Sequence, residues 1–225
     1  MKYLYIVAAA GTGKRMGLDT PKQFLEYNEE PIFIKTLKTI NNVQIVTDII
    51  VVTGEEFVET VKNHCKEFGI SKLKSVIVGG KERQDSIYNV LKTLENPEKY
   101  IIAVQDGVRP FIKDKFIIEA YKNLDTNKNL DGVVIGMPVK DTVKIVNQEG
   151  FILDTPVRST LYLAQTPQVF KGEILVKAYE EADKNSFIGT DDSSLVERIN
   201  GKIKILKGSY DNIKITTIED LLYFK

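Results

Sequence analysis

The sequence predicts an α/β fold built on a mostly parallel central sheet, and three observations carry that expectation. Short apolar runs rich in valine and isoleucine recur along the chain, and segments of helical period fall between them. Glycine, aspartate, lysine and arginine then cluster directly after several of the runs, at residues 9–22, 79–86 and 105–110. Ligands of open parallel sheets bind outside the carboxyl ends of the strands, so function is expected in those loops.

Taken in order, residues 4–9 form an unbroken apolar run ending in a glycine-rich turn, the pattern of a strand buried on both faces. Residues 48–53, 73–78 and 100–105 repeat it, with helical periodicity over 55–68 and 85–94. Alternation of this kind implies right-handed crossovers between parallel strands. Residues 132–138 read as another strand. Residues 142–146 and 152–155 then flank the turn-prone tetrad Asn147-Gln148-Glu149-Gly150, a hairpin signal that predicts a projecting arm. Helices are expected over 171–184 and 193–199, extended chain over 203–207 and 213–215, and a closing helical turn over 219–224. With no repeat, low-complexity tract or linker in view, residues 1–225 are read as one domain, with the arm at about 139–160.

Composition narrows the function. The chain has 225 residues and 43% hydrophobic content, enough for a substantial core. Lysine plus arginine and aspartate plus glutamate each total 31, so no global field favours nucleic acid or an anionic membrane. The single cysteine, Cys65, allows no internal disulfide, and with one histidine, His64, no Cys/His zinc cluster can be assembled. The pair reads as part of a helix surface. The run after Met1 lacks a separate basic region and is too short to span a bilayer, so a cytoplasmic protein without a membrane segment is expected.

The first loop reads Ala8-Ala9-Ala10-Gly11-Thr12-Gly13-Lys14-Arg15-Met16-Gly17 and is followed by Pro21-Lys22-Gln23. Small residues let backbone N–H groups approach an anion, and Lys14, Arg15 and Lys22 add positive charge. It is not a P-loop, because Ala8 and Arg15 stand where glycine and a hydroxyl residue are needed, and Met16 breaks the dinucleotide fingerprint. A flexible strand-to-helix turn would look similar. Asp106 emerges from an apolar run, well placed to ligate a magnesium ion carrying a triphosphate, and Asp211 is the next acidic candidate. Helix capping or an ion pair with Arg109 is the structural alternative for Asp106. The segment from Gly79 to Ser86 offers backbone and hydroxyl contacts for a base or ribose.

These residues fall into a longer series. Ala9-Ala10-Gly11, Arg15-Met16-Gly17, Pro21-Lys22-Gln23-Phe24-Leu25, Gly79-Gly80 with Arg83 and Ser86, Asp106 with Arg109-Pro110, Asp141-Thr142 with Lys144, Gln165-Thr166-Pro167-Gln168, Thr190-Asp191-Asp192 and Asn212-Ile213-Lys214-Ile215-Thr216 follow one another nearly end to end. In that order the chain resembles the 2-C-methyl-D-erythritol 4-phosphate cytidylyltransferases. The resemblance implies a Rossmann-like nucleotidyltransferase fold, CTP and Mg2+ as requirements, a sugar-alcohol phosphate acceptor, and a homodimer built through the hairpin arm. It also implies a place in non-mevalonate isoprenoid biosynthesis.

Carried over residue by residue, Arg15 and Lys22 resemble the pair that neutralises the triphosphate and the transition state, and Lys214 the residue that helps hold the α-phosphate region. Ala9, Ala10, Gly11, Gly80 and Ser86 resemble the cytidine-reading positions, Asp106 the metal-associated carboxylate of the nucleotide site, and Asp211 a further metal candidate. Thr142 and Arg158 resemble arm residues that reach the acceptor in the neighbouring subunit, with Arg109, Thr166, Thr190 and Asp191 near the same polyol end. Gln105 departs from the histidine usual in the family, so no imidazole base is expected, and Gly107 replaces the usual alanine or serine, a difference that touches loop geometry and not the chemistry. Ribitol-5-phosphate cytidylyltransferase, and a noncatalytic nucleotide-binding protein on the same fold, are the alternatives.

Overall fold

The computed structural model describes residues 1–11 and 20–224 of the chain. Strand β1 (Lys2–Ala8) is followed by the short antiparallel pair β2 (Glu26–Tyr27) and β3 (Glu30–Pro31), then helix α1 (Ile32–Asn42). Next come β4 (Asp48–Thr53), α2 (Val58–Glu67), β5 (Leu73–Val78), α3 (Arg83–Leu91), β6 (Tyr100–Asp106) and α4 (Asp114–Thr126). The chain continues through β7 (Gly132–Pro138), the hairpin β8 (Ile145–Val146) and β9 (Ile152–Asp154), and β10 (Tyr162–Lys171). It ends with α5 (Gly172–Lys184), α6 (Asp192–Arg198), β11 (Ile203–Lys207) and a 3-10 turn, Ile218–Phe224.

Among the described residues, seven strands form one sheet in the order β11-β7-β10-β6-β1-β4-β5. Neighbours are parallel except at β10, which runs antiparallel to both β6 and β7. The apolar run of β1 makes this a three-layer molecule. Tyr3, Tyr5 and Val7 point into one core with Phe33 and Leu37 of α1, Val61 of α2 and Ile117 of α4. Leu4 and Ile6 point into the other with Ile87 and Val90 of α3 and Leu175 and Ala178 of α5. Alternate side chains leave opposite faces of a strand, so a continuous apolar run requires cover on both. Each fully buried aliphatic or aromatic side chain contributes about 1.5–3 kcal/mol to that arrangement.

The predicted runs at 48–53, 73–78, 132–138 and 203–207 are strands with those bounds. Five elements carry no label in the sequence reading: the short pair β2 and β3, and α1, α4 and β10. Strand β10 contains Pro167, which cannot donate to a ladder, and the register shifts between Ala164 and Gln168 where it sits. Residues 213–215, expected as extended chain, form no regular element and join no strand of the sheet; the Ile215 N–H donates to Val108 O at 2.9 Å and its side chain is buried. Cys65 also corrects its expected surface position. It faces the core of α2, where burial pushes the thiol up to about 12.

The arm is a hairpin turned by Asn147, whose Oδ1 accepts from the N–H groups of Glu149 and Phe151. Gly150 takes φ +88°, which only a residue without Cβ adopts freely. Phe151 and Leu153 are 66% and 65% exposed. No helix among the described residues is long and apolar enough to cross a membrane.

Candidate active site

Strands β6, β1 and β4 lie side by side, and the chain leaves β1 to wind toward β5 before returning to β6 on its other side. That reversal opens a crevice at the carboxyl ends of the strands. A cavity of about 380 Å³ occupies it, walled on one side by residues 8–11 and on the other by residues 80–83 with Ser86.

Backbone contacts fix the first wall. The Ala9 N–H donates to Val52 O at 2.8 Å and Gly107 N–H to Ala8 O at 2.9 Å, while Gln23 Nε2 donates to Ala9 O at 2.7 Å. The second wall is set by the capping box of α3, in which Glu82 and Asp85 exchange bonds with each other's backbone. Ser86 Oγ accepts from Gly80 N–H and donates to Glu82 O, each at 3.0 Å. A Cβ at Gly79 would lie 2.9 Å from both Ala10 Cβ and Ser86 Oγ, and one at Gly80 would run into Asp85. The slot between the walls is therefore closed to side chains at these two positions.

At the floor, Asp106 gathers cations. Its Oδ2 lies 3.1 Å from Lys214 Nζ and 3.2 Å from Arg109 Nε, and its Oδ1 lies 3.6 Å from Arg83 Nε. Burial works to raise the Asp106 pKa, but the charges of Arg83, Lys214 and Arg109 outweigh it and hold the carboxyl well below the usual range. Thr166 Oγ1 accepts from the Asp106 N–H at 3.1 Å. Lys22, also buried, lines the cavity beside Lys214 and Thr216.

Of the residues singled out in the sequence, Ala9, Ala10, Gly11, Lys22, Gly80, Ser86, Asp106 and Lys214 meet at this cavity. Arg15 and Lys14 lie outside the described residues. Arg109 turns inward, donating through Nη1 to Asn212 O at 2.9 Å. Asp191 is the N-cap of α6, its carboxylate taken up by Gln168, Ser193 and the Ser194 N–H. Thr190 is exposed on the preceding turn. Thr142 and Arg158 are exposed in the arm region, with Arg158 Nη1 donating to Lys140 O. Asp211, the second acidic candidate for a metal, stands apart from Asp106. Its side chain is 71% exposed, bound to Lys113 and Ser209, and outside the cavity lining.

Two residues at the site had no role from sequence. Arg83 Nη2 donates to Asp192 Oδ2 at 2.7 Å, and the other oxygen of Asp192 accepts from the Tyr179 hydroxyl. Asp192 is fully buried. The Gly79-Gly80 motif contains Arg83, but nothing in its spacing says which distant carboxylates a guanidinium will bridge.

The family model of 2-C-methyl-D-erythritol 4-phosphate cytidylyltransferase matches residues 3–224. A protein of that name from Fusobacterium nucleatum is 47% identical over 225 residues, covering 100% of this chain and 96% of the relative. One from Clostridioides difficile is 42% identical over 97% of this chain and 90% of its own length. Among solved structures, the 4-diphosphocytidyl-2C-methyl-D-erythritol synthase of Anaerococcus prevotii superposes with TM-score 0.85 at 30% identity, over 99% of this chain and 94% of that one. The Francisella tularensis 2-C-methyl-D-erythritol 4-phosphate cytidylyltransferase gives 0.84 at 28% identity, over 99% and 98%. These matches carry the methylerythritol branch rather than the ribitol-5-phosphate or noncatalytic alternative. The chain belongs to the 2-C-methyl-D-erythritol 4-phosphate cytidylyltransferase family.

Proposed function

We propose that the cavity transfers the cytidylyl group of CTP to 2-C-methyl-D-erythritol 4-phosphate, giving 4-diphosphocytidyl-2-C-methyl-D-erythritol and pyrophosphate. The observation that carries this reading is the meeting of a glycine-walled slot with Lys22 and Lys214 at one cavity. The slot at Ala10, Gly11 and Gly80 takes the cytidine, and the cations take the phosphates. A phosphate oxygen of the acceptor attacks the α-phosphorus in line, the bond to the β-phosphate oxygen breaks, and pyrophosphate departs on the opposite side. With a second pKa of about 6 the attacking phosphate is largely dianionic near neutrality, so no general base is required. The barrier is mainly repulsion between anions. Lys22, Lys214 and Arg15 lower it by neutralising charge that builds on the α-phosphate and leaving group.

The donor set suits a magnesium ion. Asp106 supplies one carboxylate, and the described residues hold no group of three or more His, Cys, Asp or Glu that would cage a metal. Magnesium characteristically combines one or two carboxylates with substrate phosphates and retained waters. When bound it would screen the triphosphate and activate the α-phosphorus as a Lewis acid. Asp106 is the residue that would hold it; Asp211 is not part of that set.

The exposed apolar arm supports a homodimer in which Thr142 and Arg158 serve the partner's acceptor site, with Arg109, Thr166, Thr190 and Asp191 shaping that end. The reading places the enzyme in the cytoplasm. A pyrophosphate-release assay crossing methylerythritol phosphate and ribitol phosphate with CTP, ATP, GTP and UTP tests it. Turnover is expected with CTP and methylerythritol phosphate, and its absence in the presence of magnesium overturns the assignment.

A further inference from the structure

The chain after Lys214 is tied down at two points. Asp220 Oδ2 alone accepts three bonds, from Thr216 N–H at 2.7 Å, Thr216 Oγ1 at 2.8 Å and Thr217 N–H at 2.9 Å. Four residues further on, Phe224 is buried against Tyr27 and Phe111, with ring centroids 4.4 and 5.0 Å away, and Lys35 Nζ lies 5.0–5.4 Å from all three rings. On the inner side, Ile215 is anchored to Val108 O and packs beside Phe224. Lys214 and Thr216, the residues flanking Ile215, both line the cavity. The backbone that carries Lys214 is thus pinned from within by the loop after Asp106 and from without by one carboxylate oxygen.

We propose that Asp220 is a positioning residue for the reaction, holding the Thr216–Thr217 backbone so that Lys214 reaches the phosphates from a fixed base. It lies outside the cavity lining and acts through the backbone that carries Lys214. Burial acts to raise its pKa, but the Thr217 and Thr216 backbone bonds, the Thr216 hydroxyl and the charge of Lys22 overcome that and keep it ionised, the stronger acceptor. A long lysine side chain has many rotamers, and losing the anchor of its main chain multiplies the positions from which it must find the transition state.

The inference rests on the proposed cytidylyl transfer, and its test separates the two. Wild-type protein that releases no pyrophosphate sinks the proposed function; an active wild type indistinguishable from Asp220→Ala sinks only the role of Asp220. Asp220→Ala is expected to lower kcat by about 10-fold or more while KM for CTP changes less than threefold, on the view that it disturbs one transition-state donor. Asp220→Asn should recover most of that loss, since one amide oxygen can accept the same three donors. Adding Asp220→Ala to Lys214→Ala should cost almost nothing further, because residues acting as a unit are non-additive. Hydrogen exchange gives a readout independent of turnover: the Thr216 and Thr217 amides should exchange faster in Asp220→Ala, with core strands unchanged. Additive kcat losses, no recovery in Asp220→Asn, or unchanged exchange at both amides would overturn the proposal.

Discussion

Asp106 and Asp192 are two buried carboxylates joined by one guanidinium, and their surroundings explain why both are tolerated. An isolated buried charge is expensive, but Asp106 is met by Arg83, Arg109 and Lys214, and Asp192 by Arg83 and the Tyr179 hydroxyl. Removing one partner leaves the others uncompensated. Asp192→Ala is therefore expected to destabilise the fold by about 3 kcal/mol, the low end for a broken buried pair because Arg83 keeps a third of its side chain in solvent. Asp192→Asn, which can still accept from Tyr179, should lose less; urea denaturation of the two variants checks the order. At this scale the sequence was informative where a role follows from chain position. Asp106, Gly80, Ser86 and Lys22 could be singled out because they follow apolar runs or stand in a glycine turn. The Arg83 to Asp192 bond spans more than a hundred residues of chain, and no local pattern encodes it.

Among the elements, the strands were the most legible because a buried parallel strand has no polar face and so reads as an unbroken apolar run. Helices were legible where polar and apolar residues alternate cleanly, as in α2 and α5. Helix α1 opens on Ile32-Phe33-Ile34, all buried, which hides the helical period at its start. The arm was legible for the opposite reason, as a turn signal between two short runs. Its apolar side chains face solvent in the single chain, a patch of the sort that marks an interaction surface. If the proposed homodimer forms through this arm, replacing Leu153 by Glu should leave the fold intact and give a monomer in sedimentation equilibrium where the wild type is a dimer. A dimer of unchanged affinity would remove the arm from the interface.

For the whole molecule, the decisive prediction concerns whether one site draws on two chains. Lys22→Ala should lower turnover by about two to three orders of magnitude as a single transition-state donor, and Arg158→Ala should also be inactive. Mixed dimers of the two inactive variants should regain part of the wild-type rate, since one of the two sites would be intact; verified mixed dimers with no recovery would confine each site to one chain. By itself, the sequence determined the layer architecture, the hairpin and the loops that line the cavity, because periodicity and turn residues are local and act wherever the chain goes. Only the tertiary structure decided that Asp211 points to solvent, that Asp191 caps a helix, that Arg83 bridges Asp106 and Asp192, and that Asp220 binds the Thr216–Thr217 backbone. Those outcomes depend on which distant segments the sheet order brings together, and a carboxylate's partners are set by that proximity rather than by its neighbours in the chain.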